Sequence, residues 1–231
     1  MVDSNPDPVP HDGCMPSVGP GPVDFWAGVS PAWRACFHLA WEAFQAGSVP
    51  VGAVLVDGTG AVVARGRNRR NDKESPDGQL SGSSLAHAEV NTLAQLPPGD
   101  YLDHILYSTL EPCFLCTSAL RYCHIGTVRF AAPDPMWRGV DRLPELNHHI
   151  ARWWTRREGP CGGPLQAFAA ALHLVSAVER GVRSVQDSHV ESAPGTLRLA
   201  RRWAGATADA LRAMTLLDGL STVWTELTDL C

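Results

Sequence analysis

The sequence predicts an α/β protein, a mixed sheet flanked by helices and followed by a helical segment. Three observations carry that expectation. Periodicity gives the order helix, hairpin, helix, strand, helix, strand between Ser30 and Ala132. A strand to helix to strand step of this length implies a right-handed parallel crossover, whereas the hairpin is antiparallel. From about Leu143 onward strand signals stop, and apolar residues such as Leu165, Phe168, Ala169 and Leu172 recur at helical intervals.

The elements follow in order. Residues 1–23 are rich in Pro, Gly and Asp, with little to bury, and read as a flexible tail, with order beginning near Ser30. Ser30 can cap a helix whose first residue is Pro31; Trp33, Cys36, Phe37, Ala40, Trp41 and Phe44 then share one face until Gly47. Two β-rich runs, Val51 to Val56 and Ala61 to Gly66, flank Asp57, Gly58, Thr59 and Gly60, a hairpin signal. After a polar loop from Arg67 to Gly82, "SSLAHAEVNTLAQL" (83–96) reads as a helix stopped by Pro97, Pro98 and Gly99. Residues 104–109 and 127–132 are strands, and "PCFLCTSALRYC" between them is a helix with Pro112 at its first position. The boundaries expected are a tail over 1–23, a core over 24–142 and a helical extension over 143–231 packed on that core.

Composition narrows the function classes. With 45% hydrophobic and 19% charged residues, 231 residues suffice for a real core, and no window approaches the roughly eighteen unbroken apolar residues of a membrane span. The first residues lack a basic stretch followed by an apolar one, so a cytoplasmic location is expected and no membrane partner. A net charge of -5 gives no whole-chain reason to bind nucleic acid. Seven cysteines, an odd count, suggest thiols or metal ligands rather than closed disulfides.

Cys113 and Cys116, three apart at a helix start, share one face where exposed N–H groups favour thiolate. Alone, the C-x-x-C pair is open to three readings: a redox couple, two core thiols or a metal site. His87 upstream makes a third ligand, leaving the fourth tetrahedral position open, as in catalytic zinc sites. Glu89 lies two residues beyond His87, about 200° around a regular helix.

"HAE" followed by "PCFLC" resembles the H-x-E…P-C-x-x-C signature of the zinc-dependent cytidine and deoxycytidylate deaminase superfamily. "VPVGAVLVDGTGAVVARGRN", "AHAEVNTLAQL", "STLEPCFLCTSAL" and "IGTVRFAAPDP" resemble, in that order, tRNA adenosine deaminases and bacterial guanine and cytosine deaminases over residues 30–142. The resemblance implies a three-layer α/β/α cytidine-deaminase-like fold with about five strands. It implies His87, Cys113 and Cys116 as ligands of Zn2+, Glu89 as proton shuttle beside a zinc-bound water, and Asn68 as a substrate-binding residue. Asn68 also has a plain reading, as a turn residue among arginines. Cys123 as a fourth ligand would close the site and leave Glu89 no water to act on.

The expected function is a zinc-dependent hydrolytic deaminase converting an exocyclic amine of a nucleobase or nucleoside to a carbonyl with release of ammonia. A tRNA or polynucleotide adenosine deaminase is the alternative, and a non-catalytic zinc-binding scaffold is the rival from another class. Polynucleotide enzymes need a positive surface along the strand, and residues 143–231 hold nine Arg against nine Asp or Glu. Near Asn68, "RGRNRRNDK" supplies cations that either bind a substrate phosphate or stay solvated. His148, His149, Trp153 and Trp154 are read as tryptophans packing a helix on the core rather than pocket residues. Relatives commonly self-associate, so a homodimer is expected.

Overall fold

The computed structural model describes residues 21–231. It contains α1 (Pro22–Gly28), α2 (Pro31–Gln45), β1 (Gly52–Val56), β2 (Val62–Arg67), α3 (Ala88–Leu93), β3 (Ile105–Leu110), α4 (Phe114–Tyr122) and β4 (Thr127–Ala132). Two 3₁₀ turns, Pro135–Trp137 and Val140–Glu145, lead to α5 (His148–Ala151) and β5 (Arg156–Glu158). Six helices end the chain: α6 (Gly163–Glu179), α7 (Arg183–Ser192), α8 (Pro194–Trp203), α9 (Ala206–Arg212), α10 (Leu216–Thr222) and α11 (Trp224–Thr228).

The five strands form one sheet in the order β2-β1-β3-β4-β5. β1 pairs antiparallel with both β2 and β3, while β3, β4 and β5 run parallel, so the sheet is mixed as expected. Two glycines admit helices to the sheet at short range. A Cβ on Gly52 would lie 2.2 Å from the Cys36 carbonyl oxygen, so α2 rests directly on β1. A Cβ on Gly66 would lie 2.6 Å from both the Ala88 carbonyl oxygen and the Thr92 amide, so α3 rests on β2. Gly66 pairs with Ala53, the residue after Gly52, and successive strand residues point to opposite faces. α2 and α3 therefore cover opposite sides of the sheet. α4 packs beside α3, and α6 packs on β3, β4 and α2, which completes three layers.

The core follows from these faces. Ser30 caps α2 through the Trp33 amide, and Trp33, Phe37, Trp41 and Phe44 are buried as the periodicity predicts. Phe168 of α6 stacks on Phe37 and Trp41, with ring centroids 6.3 and 5.9 Å away. Nε1 of Trp41 donates to the Met214 carbonyl at 3.1 Å, which ties α2 to the turn between α9 and α10.

Three expectations are corrected. Residues 1–20, most of the stretch read as a tail, lie outside the described residues, but a helix starts at Pro22, ahead of the order expected from Ser30. Its Phe25 and Trp26 are buried, and Phe25 meets Trp224 of α11 at 5.0 Å, a partner some two hundred residues away that local pattern does not reveal. Strands do not end before Leu143, because β5 pairs with β4. Its "RRE" has no apolar alternation; it is held by Arg129 bonding Glu158 at 2.7 Å, a charged edge that discourages further strand addition. The helix read over 83–96 is reduced to Ala88–Leu93, because residues 83–87 are turns.

Gly52→Ala is expected to force α2 off β1 at a cost of about 3 kcal/mol, the upper part of the usual overpacking range. For a chain of this size that is a Tm drop of roughly 6–12 °C. Thermal unfolding followed by circular dichroism checks it, and an unchanged Tm shows that the α2–β1 contact is not under constraint.

Candidate active site

Two helix starts build the site. His87 precedes α3 as its cap, with extended backbone (φ -74°, ψ 155°), and Glu89 is the second residue of the helix. A residue before the first turn is not confined to the helical stripe, so the 200° separation of a regular helix does not apply. Cys113 is the cap of α4, also extended (φ -66°, ψ 176°), and Cys116 lies in its first turn. Pro112 therefore precedes the cap instead of starting the helix. The consequence for the cysteines is the same, since both stay beside unpaired helical N–H groups.

His87 Nδ1 lies 3.6 Å from the Cys113 sulfur and 3.4 Å from the Cys116 sulfur, and the sulfurs are 3.6 Å apart. An ion held tetrahedrally at about 2.3 Å from sulfur and about 2.05 Å from nitrogen needs edges of about 3.8 Å between sulfurs and about 3.6 Å between sulfur and nitrogen. The three donors fit zinc without movement. Among the described residues they are the group of His, Cys, Asp and Glu side chains close enough to hold a metal, and Cys123 is not a member.

Burial and charge shape the ionisation of these groups. The adjacent Cys116 sulfur, aided by His87, holds the Cys113 thiol down to about 4, against the opposing effect of burial. Cys116 is pushed up by the Cys113 sulfur and by burial. The hydrogen bond with Cys113 raises His87, with burial opposing. Glu89 is 4% exposed, and burial raises its carboxyl above the ordinary carboxylate range, with the Cys113 charge adding to the effect. Its Oε1 accepts from Ser108 Oγ at 3.1 Å and its Oε2 lies 3.3 Å from the Cys116 sulfur. Ser108, fully buried on β3, thus fixes the carboxylate from the sheet face that carries α3.

A cavity of about 590 Å³ opens beside these residues and is lined by Asn68, His87, Glu89 and Cys113. It lies where β3 and β4 end, the carboxyl edge at which open α/β sheets take ligands. Asn68 is buried, and its side-chain oxygen accepts from the Arg70 amide at 3.0 Å. The turn reading of Asn68 holds, since its oxygen closes the turn, and the residue also lines the cavity.

Several lining residues escape the sequence reading. Asp134 follows β4; its Oδ1 accepts from the Met136 amide, and burial raises its carboxyl. Glu111, also lining, is held by Arg157 of β5 at 2.7 Å. His173 and Arg180 come from α6 and the residue that ends it, and Val182, Ser184 and Val185 from the approach to and first turn of α7. The one usable signal was His173, a lone imidazole in the apolar run "LQAFAAALHLVSAVE". His148, His149 and Trp153 are absent from the cavity and exposed, and the expectation that both tryptophans pack on the core is corrected for Trp153. Trp153 instead lies on the surface between Arg152, at 4.1 Å, and His124, at 4.4 Å.

Residues 30–132 match the family of the cytidine and deoxycytidylate deaminase zinc-binding region. A tRNA-specific adenosine deaminase of Bacillus subtilis is 33% identical over 143 residues, covering 58% of this chain and 83% of the relative. A tRNA(Ile)-lysidine synthase of Deinococcus radiodurans is 33% identical over 138 residues, which is 58% of this chain but spans only 22% of that protein. The X-ray structure of a guanine deaminase from Bacillus subtilis is similar at 31% identity over 45% of this chain and 63% of that one, with a TM-score of 0.37.

Zinc titration of chelator-stripped protein is expected to show one site per chain. Cys113→Ser and Cys116→Ser should each weaken it by more than about a hundredfold, beyond the 10- to 100-fold that partners of ligands account for. A variant that binds zinc as tightly as the parent removes that sulfur from the ligand set.

Proposed function

This chain belongs to the cytidine and deoxycytidylate deaminase zinc-binding family, and from that premise we propose that it is a zinc-dependent hydrolytic deaminase of a nucleobase or nucleoside. The observation that carries the proposal is Glu89, buried, oriented by Ser108 and facing the cavity beside the three donors. A metal site that only braced the fold would have no use for a carboxylate there, which speaks against the scaffold reading.

His87, Cys113 and Cys116 would hold the zinc, which would supply the Lewis acidity that makes a water nucleophilic near neutral pH. Glu89 takes the proton that water loses and delivers it to the ring nitrogen of the base, then assists the departure of the amine. Its raised affinity for protons suits both halves of that exchange. The carbon that carried the amine gains oxygen, and the products are a carbonyl and ammonia. Asn68 donates from its side-chain nitrogen to an acceptor on the substrate, while its bonded oxygen holds the amide in place.

A tRNA substrate is the second reading, supported by the similarity to the tRNA-specific adenosine deaminase of Bacillus subtilis. Against it stands the wall of α6 and α7 residues over the cavity, and the balance of charges across residues 143–231. The cytoplasm is the proposed location, and a homodimer the proposed assembly.

Glu89→Gln is expected to keep one zinc per chain by metal analysis and to lower the ammonia-release rate by about 10²- to 10⁴-fold, the usual contribution of a general acid-base. Wild-type turnover in that variant would remove Glu89 from the mechanism. A screen of free bases, nucleosides and an anticodon stem-loop chooses the substrate class, and turnover of the stem-loop alone would overturn the small-molecule reading.

A further inference from the structure

Five cations surround Asn68 in "RGRNRRNDK", and the structure sorts them. Arg67 is buried against Asp72 at 2.6 Å, and Arg69 reaches the same carboxylate at 3.1 Å. Arg65 and Lys73 are exposed and do not line the cavity. Arg70 does line it, exposed at its rim, and among the described residues no carboxylate pairs with it.

Arg180 lines the same cavity and is also exposed. Its Nε donates to the Ser176 carbonyl of its own helix at 3.2 Å, and its other donors meet no acid among the described residues. The two guanidinium groups are close enough that Arg70 works against the charge on Arg180. The start of α7, a ten-residue helix whose first turn has no side-chain cap, lines the same cavity through Val182, Ser184 and Val185. Uncapped N–H groups and the helix dipole favour an anion at such a place.

The independent sign of a ligand is His173. It is 8% exposed and lines the cavity, yet neither ring nitrogen has a hydrogen-bond partner. Burial pushes the imidazole down to about 3, so it is neutral, with one N–H to give and one lone pair to accept. An orphaned pair of buried polar atoms costs stability unless something bonds them. A bound ligand with hydroxyl or phosphate oxygens does so.

Charges of both signs line the cavity: Glu89 and Asp134 are buried acids, Glu111 is neutralised by Arg157, and Arg70 and Arg180 have no acidic partner among the described residues. Those two arginines are the exposed cations of its lining. We propose that Arg70, Arg180, His173 and the first turn of α7, which line one cavity, form a phosphate subsite, and that the substrate is a nucleoside monophosphate. The inference rests on the deaminase reading for the base end of the ligand and names what the other end carries. A free mononucleotide is favoured over a strand because the cavity, at about 590 Å³, has the size of a small-molecule site and is walled by α6 and α7.

The test separates the two readings by measuring binding apart from turnover. Zinc-loaded Glu89→Gln protein is titrated calorimetrically with adenosine, guanosine, cytidine, their 5′-monophosphates, inorganic phosphate and a short single-stranded oligonucleotide. At least one monophosphate is expected to bind about 30-fold more tightly than its nucleoside, the effect of two charge-assisted contacts, and inorganic phosphate to compete with it. Arg180→Gln and Arg70→Gln, both at exposed positions, should each bring that ratio within about threefold, with the melting curve unchanged. Equal affinity for nucleoside and monophosphate, no measurable binding of any monophosphate, a ratio that survives both arginine changes, or tight binding of the oligonucleotide alone each overturns the subsite. Ammonia release by wild-type protein on the same compounds judges the deaminase reading independently: a preserved ratio without ammonia from any compound defeats the reaction and leaves the subsite standing.

Discussion

The first turns of α3 and α4 meet at one place beside β3, and their unpaired N–H groups call for negative charge between them. Cys113, held down to about 4, supplies it, and Glu89 sets a buried carboxyl beside it. Neither helix can retreat without opening this arrangement. Gly66 lets α3 sit on β2 with no side chain between, and Ser108 reaches up from β3 to the carboxylate. The outer elements serve the same point. Arg157 of β5 bonds Thr117 of α4 at 2.9 Å and Glu111 at 2.7 Å, so the edge strand braces the helix that carries the cysteines.

Legibility in the sequence tracked how local the cause was. Ser30, Pro31 and the apolar stripe of α2 are neighbours in the chain, and that helix agrees with its expectation at both ends. The hairpin and the parallel step from β3 to β4 follow from turn chemistry and connection length, and both are present. The convergence of His87, Cys113 and Cys116 was legible because the His and the C-x-x-C pair, with their spacing, are themselves features of the sequence. What stayed hidden depends on distant partners. α1 is ordered by Trp224, β5 by Arg129, and the cavity wall by the packing of α6 over the sheet. Ser108 is one polar residue in a buried strand, and nothing in "HILYST" marks it as the partner of Glu89.

The corrections share that cause. Trp153 looked like core because large aromatics usually are, but its stretch follows a four-residue helix too short to present a buried face, and arginine and histidine cover the ring instead. The arginines near Asn68 looked alike in the sequence, and only the fold shows that Asp72 neutralises two of them while Arg70 stays unpaired at the cavity.

α6 has two employments. Leu165, Phe168, Leu172 and Val175 fill one layer of the core, while His173 and, just past the last turn, Arg180 face the cavity. One helix thus carries both the stability of the chain and a share of its discrimination between ligands, so changes at its cavity face are screened first by folding. A lineage can retune the rim at Arg180 or Ser184 freely, since both are exposed, whereas His173 can drift only together with the packing around it. Divergence of preference in such a protein should therefore be recorded at the end of the helix earlier than in its middle, an epistatic ordering built into the architecture.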